Sequence, residues 1–172
     1  ARRLATLAPS AGHLVHMPAH VYIRTGNYLE AAHANVEAAK ADERLAATDG
    51  DSSPFYLIGY YGHNLHFLAI SNAFAGNSRD ALSAARKLYE VEAPRIKEVP
   101  FVDGFLMTPA LVLVDFERWD EILSASAGCG TEYHMSTYSS FDHSPRYVFA
   151  TSSMRREAQA RNQASSSSSS TS

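Results

Sequence analysis

The chain has 172 residues, 45% of them hydrophobic and 19% charged, with a formal net charge of −3. That is an ordinary globular composition, long enough to bury one core, with no basic surface for nucleic acid or an anionic membrane. No apolar run approaches the roughly 18 residues that span a bilayer, and the single cysteine, Cys129, excludes an internal disulfide framework.

The opening ARRLATLAPSAG has neither a Met nor a signal-peptide pattern, as expected of a fragment or a processed product. From His13 to Leu45, and again from Tyr60 to Val91, apolar residues recur at three and four, the helical period. Strand-like alternation is nearly absent and alanine, the best helix former, is abundant, so the fold class is all-α. Pro9, Gly12, Gly26, Gly50, Pro54, Gly76, Pro94 and Pro100 cut the pattern into helices of about 12–18 residues. Pro18 falls inside the first of them, which predicts a helix either kinked there or starting near Met17. The run Asp49-Gly50-Asp51-Ser52-Ser53 has the oxygens of a calcium loop but no glutamate at its twelfth position, and reads as a turn. Beyond residue 127 the sequence is rich in Ser and Thr, and the Ser-rich tail 164–172 is expected to be disordered.

Two segments superimpose: VYIRTGNYLEAAHANVEAA (21–39) and ISNAFAGNSRDALSAARKL (70–88). Each places a glycine, Gly26 or Gly76, between two helices, and an alanine, Ala31 or Ala81, five residues on. LVLVDFERWDEIL (111–123) is a third copy in which Glu117 replaces the glycine and Trp119 matches Tyr28. This pattern resembles the tetratricopeptide repeat, a pair of antiparallel helices. The resemblance implies a tetratricopeptide-like helical-hairpin solenoid of three to four helix pairs in a single domain, 1–163. Its repeats fall near 12–45, 62–95 and 103–136, with a weaker fourth at 139–163. Its core is expected to hold Leu14, Tyr22, Tyr28, Ala31, Leu68, Ala81, Leu82, Leu111, Trp119 and Ile122. More specifically, GHLVHMPAHVYIRTGNY, YGHNLHFL and TPALVLVDFERWDEIL resemble bacterial tetratricopeptide-repeat proteins with HMPxH and HNxHF-type motifs. That likeness covers residues 1 to about 126 and bears on fold rather than on a reaction. It leaves a bacterial cytoplasm and secretion both open.

The histidines are the chemistry-bearing residues. In a tetratricopeptide register the groove-lining positions of the first repeat are His13, His16, His20 and Ile23. Those of the second are His63, His66, Ile70 and Ala73, and those of the third are Gly104, Met107, Leu111 and Val114. His143 takes such a position in the fourth. Spacing alone puts His13, His16 and His20 on one helix face. Imidazole is the commonest ligand for zinc, copper, nickel and iron, and packed helices lie about 8–10 Å apart, close enough for both to reach one ion. His13, His16, His20, His63 and His66 are therefore candidate metal ligands, with Met107 a possible soft ligand, for zinc or copper. No carboxylate is obvious beside them. The alternative is a metal-free polar groove for a peptide, with Ile23, Ile70 and Leu111 along it.

Two functions follow from this. One is a scaffold for protein–protein interaction or self-assembly, through the concave groove or the solenoid ends. The other is a metal-binding protein or metal-dependent enzyme using the histidine cluster. No catalytic residue is identifiable: Cys129 has no partner pattern, and no phosphate loop, serine elbow or HExxH is present.

Overall fold

A computed structural model of the chain describes residues 3–48, 56–95, 97 and 100–122. Among these, every regular element is a helix. A short α1 (Leu4–Leu7) precedes α2 (Gly12–Arg24) and α3 (Tyr28–Thr48). A turn of π-helix, Leu57–Tyr61, leads straight into α4 (Gly62–Phe74), followed by α5 (Ser78–Glu92). Two 3-10 segments, Ala93–Arg95 and Pro100–Met107, connect to α6 (Thr108–Asp115). The chain divides into two compact units, Ala1–Phe116 and Glu117–Ser172, and residues 117–122 are the described part of the second. The expected fourth repeat, His143, Cys129, the turn expected at 49–53 and the Ser-rich tail lie outside the described residues.

The turns explain why the helices end where they do. Gly26 and Gly76 have φ of 77° and 79°, a left-handed conformation that costs a glycine nothing. After α2, Gly26 N–H donates to Ile23 O (3.3 Å) and Asn27 N–H to Tyr22 O (2.9 Å). After α4 the same two bonds recur, Gly76 N–H to Ala73 O (3.0 Å) and Asn77 N–H to Asn72 O (2.9 Å). This is the Schellman motif, which satisfies the last carbonyls of a helix and reverses the chain. Glu117, aligned with these glycines in the sequence, has φ of 53° although it carries a side chain.

Within the first unit α2 packs on α3, α4 on α5, α3 on α4, and α5 on α6. Small residues make the first contacts close: Ala19, Ala31, Ala38, Ala69, Ala81 and Ala85 are all fully buried. A second cluster of Ala39, Tyr61, Leu65 and Leu88, with Val91 and Phe105 against it, ties the pairs together. Burying leucines such as Leu65 and Leu88 contributes about 1.5–3 kcal/mol each. Two residues of the expected core are elsewhere. Leu14 is 40% exposed and Leu111 is 37% exposed, because Val15, His16 and Ala19 on α2, and Val112 and Leu113 on α6, take the inward faces. Trp119 and Ile122 belong to the second unit.

α2 begins at Gly12, not near Met17, and runs through Pro18. The proline has no N–H for the carbonyl of Leu14 four residues back, so the helix carries one bond fewer there. Pro109 sits in the first turn of α6, where the missing N–H costs nothing.

Candidate metal centre

Each histidine is placed by its helix. His13, His16 and His20 rise along one face of α2, and His63 stands at the start of α4. Side-chain nitrogens of His16, His20 and His63 all lie within 4.8 Å of one another. Their ring centroids are 4.7 Å apart for His16–His20 and His16–His63, and 5.7 Å for His20–His63. Nitrogens at 2.0–2.1 Å around one tetrahedral zinc would stand about 3.3 Å apart, so small side-chain adjustments close the set.

The protonation of His16 follows from its neighbours. Asn35 Nδ2 donates to Ala31 O (2.7 Å), which turns Asn35 Oδ1 towards the imidazole. His16 Nδ1–H therefore donates to Asn35 Oδ1 (2.6 Å), and Nε2 holds the lone pair. That nitrogen faces His20 Nε2 at 2.9 Å, a contact in which His20 Nε2–H donates. An ion would stand in place of that proton, with His20 carrying its hydrogen on Nδ1. A ligand histidine fixed through its other nitrogen is the usual outer arrangement of a metal site.

Burial keeps His16 and His63 neutral at pH 7. His16 is fully buried, and burial above all, with the neighbouring histidines, pushes its pKa down to about 3 against the Asn35 hydrogen bond. Burial, then His20 and His13, pushes His63 down to about 4. His13 is lowered by burial and by His20, while Asp42 opposes the shift. An uncharged imidazole offers a metal one unprotonated nitrogen, after at most a change of tautomer. Phe67 lies against all three ligand rings, 4.8 Å from His16, 4.5 Å from His20 and 4.7 Å from His63.

The remaining sequence candidates are held differently. His13 packs on Tyr60 (4.6 Å) and on His16 (5.6 Å), outside the convergent trio, and its Nδ1 is buried without a hydrogen-bond partner. His66 turns to α6 instead. Thr108 Oγ1–H donates to Phe105 O (2.6 Å), so the Thr108 oxygen accepts from His66 Nδ1–H (2.8 Å), and the His66 ring packs on Phe105 at 4.7 Å. Burial, then His63, pushes His66 down to about 4. Met107 is half-buried at the end of the 3-10 segment, beside Thr108. Ile23 and Ile70 are half-buried, and Leu111 is exposed.

Sequence reasoning missed the polar residues that surround the trio. Asn35 and Asp42 lie on α3 with Ala31 and Ala38, at spacings of four, three and four, and all four are buried. Two polar residues on the buried face of an alanine-rich helix were the available signal. Asp42 accepts from Tyr56 Oη (2.9 Å) and Asn64 Nδ2 (2.6 Å), and its carboxylate lies against Gly12, next to His13. Burial raises its pKa, with those two hydrogen bonds opposing. Burial and Asp42 together push Tyr56 up to about 12. One carboxylate thus stands near the cluster without joining its ligands. Among the described residues no helix is long and apolar enough to cross a membrane. No family model, characterised protein or solved structure matches the chain.

Proposed function

We propose that the chain is a transition-metal-binding helical-repeat protein, in which His16, His20 and His63 hold one zinc or copper ion between two neighbouring helix pairs. The observation that carries this reading is the convergence of three imidazole nitrogens within 4.8 Å. It is supported by the Asn35 bond that fixes His16 and by the burial that keeps His16 and His63 uncharged at pH 7. All-imidazole sets suit zinc, copper, nickel and iron rather than magnesium or calcium. The fold proposed with it is a tetratricopeptide-like solenoid of three to four pairs. Its support is the matched turn geometry at Gly26 and Gly76, with Glu117 left-handed at the aligned third position.

Elemental analysis of purified protein, beside the double variant His16→Gln with His63→Gln, tests the reading. Wild type should carry close to one equivalent of metal and the variant almost none, with helicity retained by circular dichroism. A metal-free wild type that also takes up no added zinc or copper would end it.

The second reading is a scaffold for a protein or peptide partner, or for self-association through the solenoid ends. Leu14 and Val21 favour it: they lie seven residues apart on α2 and are 40% and 49% exposed. Val21→Asp with Leu14→Asp should then abolish any association seen by sedimentation while leaving metal content unchanged.

A further inference from the structure

Four histidines surround the proposed centre, but the fourth stands back from it. His13 keeps its ring centroid 5.6 Å from His16 and 6.2 Å from His63, outside the group whose nitrogens meet. Phe67 covers the three ligand rings on one side. A phenyl ring offers no ligand and excludes water, so a further ligand has to enter from another side. Tyr60, 37% exposed and packed on His13, links the His13 side to solvent. His13 Nδ1 itself is buried without a hydrogen-bond partner. A buried polar nitrogen left unpaired is costly, and such atoms call for an explanation.

We propose that an ion held by His16, His20 and His63 keeps one exchangeable position on the His13 side. That position takes a small oxygen ligand, such as water, hydroxide or the oxygen of a small acid, hydrogen-bonded to His13 Nδ1. The inference rests on the metal-binding reading above. An oxygen ligand suits either tautomer of His13: Nδ1 accepts from a protonated oxygen, and Nδ1–H donates to a bare one. His13 is then a positioning residue for the exchangeable ligand and not a ligand itself. Asp42 adds a reason for cation binding on this side, because its carboxylate lies against Gly12, the residue before His13. Its two oxygens are already hydrogen-bonded to Tyr56 and Asn64, which holds them in place. Three protein ligands with an exchangeable oxygen characterise catalytic zinc sites, whereas structural sites are closed by four. The class of reaction this permits is Lewis-acid hydrolysis or hydration, with the water supplied by the exchangeable position.

Cobalt(II), added to the metal-free chain and followed by visible absorption, tests the inference, with acetohydroxamate as the probe of the exchangeable position. Wild type should take up cobalt, and the hydroxamate should shift its bands. His13→Phe keeps a ring on Tyr60 and removes Nδ1. It should retain cobalt yet bind the hydroxamate about tenfold more weakly or worse. His13→Gln, which restores a polar group, should recover part of that loss, a recovery that mere packing would not produce. A His13→Phe protein that lost cobalt would make His13 a fourth ligand, overturning the inference while leaving metal binding intact. Bands indifferent to hydroxamate in wild type, or an unchanged affinity in His13→Phe, would also overturn it. A wild type that takes no cobalt would remove the metal reading and this inference together.

Discussion

His16 gives its Nδ1 hydrogen to Asn35 Oδ1 across 2.6 Å, and that one bond decides which side of the imidazole is free for chemistry. Asn35 is itself oriented by the carbonyl of Ala31 one helical turn back. Replacing it with leucine leaves a buried N–H without an acceptor, a loss of about 1–3 kcal/mol. The same change should weaken zinc or copper binding about 10–100-fold, since the ligand ring is no longer held. Urea denaturation and a chelator competition measure the two effects separately. An Asn35→Leu protein with wild-type affinity would show that the histidine needs no outer partner.

Gly12 and Gly62 begin α2 and α4, and each faces a buried carboxyl group on the following helix. A Cβ on Gly12 would stand 2.0 Å from Asp42 Oδ1 and 2.3 Å from Cγ. Asp42 is short and pinned by Tyr56 and Asn64, so it cannot retreat. Gly12→Ala should therefore cost about 1–3 kcal/mol, although alanine is the better helix former. At Gly62 the near atom is Glu92 Oε1, at 1.8 Å, the far end of a longer side chain with Cγ at 3.5 Å. Gly62→Ala should cost clearly less than Gly12→Ala. Equal losses on thermal denaturation would mean that Glu92 is held as firmly as Asp42.

Stability of the metal-free protein should peak near pH 6.5. His16 titrates near 3 and His63 and His66 near 4 in the folded chain, against 6.5 when unfolded. Below 6.5 the unfolded chain binds protons that the folded chain refuses, so stability falls with falling pH until about 3–4. Glu92 acts in the opposite sense. It is fully buried, its oxygens have no hydrogen-bond partner, and burial pushes its pKa from 4.5 up to about 8. Its contribution is present below 4.5 and is lost as pH rises through 8. Melting temperatures from about pH 4 to 9 should therefore show an alkaline decline that Glu92→Gln flattens. A decline that survives in Glu92→Gln belongs to another group.

Glu117 holds φ of 53° with a side chain attached. The left-handed region costs a non-glycine residue about 1–2 kcal/mol, part of which a glycine gives back through its freer unfolded state. Glu117→Gly should thus stabilise the turn by up to about 1 kcal/mol. Hydrogen exchange at the Trp119 amide, which donates to Glu117 O (2.9 Å), would slow. Faster exchange would show that the glutamate side chain contributes more than its backbone strain costs.

The turns were legible because a reversed chain after a helix needs positive φ, and glycine announces it. Gly26 and Gly76 therefore fixed the 50-residue offset, and Glu117 could be aligned to them without being a glycine. The convergence of His16 with His20 was legible from helical spacing. That of His63 depended on the second helix pair packing beside the first, which no spacing within one helix fixes. His66 was not legible in the same way. It matches His16 in the register, but its Nδ1 found Thr108 on α6, a partner fixed by tertiary packing and not by any local pattern. The burial of His16 was equally hidden, since groove positions in the register are half-open, whereas Asn35 and Phe67 here close over it.

The trio draws His16 and His20 from one hairpin and His63 from the next, so the site exists at a seam and in neither hairpin alone. A chain cut in the connection between Thr48 and Tyr56 would give two halves, each with an incomplete ligand set. An ion bridging them would then act as a clasp, binding the paired halves and not the separate ones, and so drawing them together by mass action. Such a site would count boundaries between hairpins, not hairpins. At the next boundary the proposed register supplies Gly104 and Met107 where histidines would be needed, so among the described residues the proposed clasp would lie at the first seam.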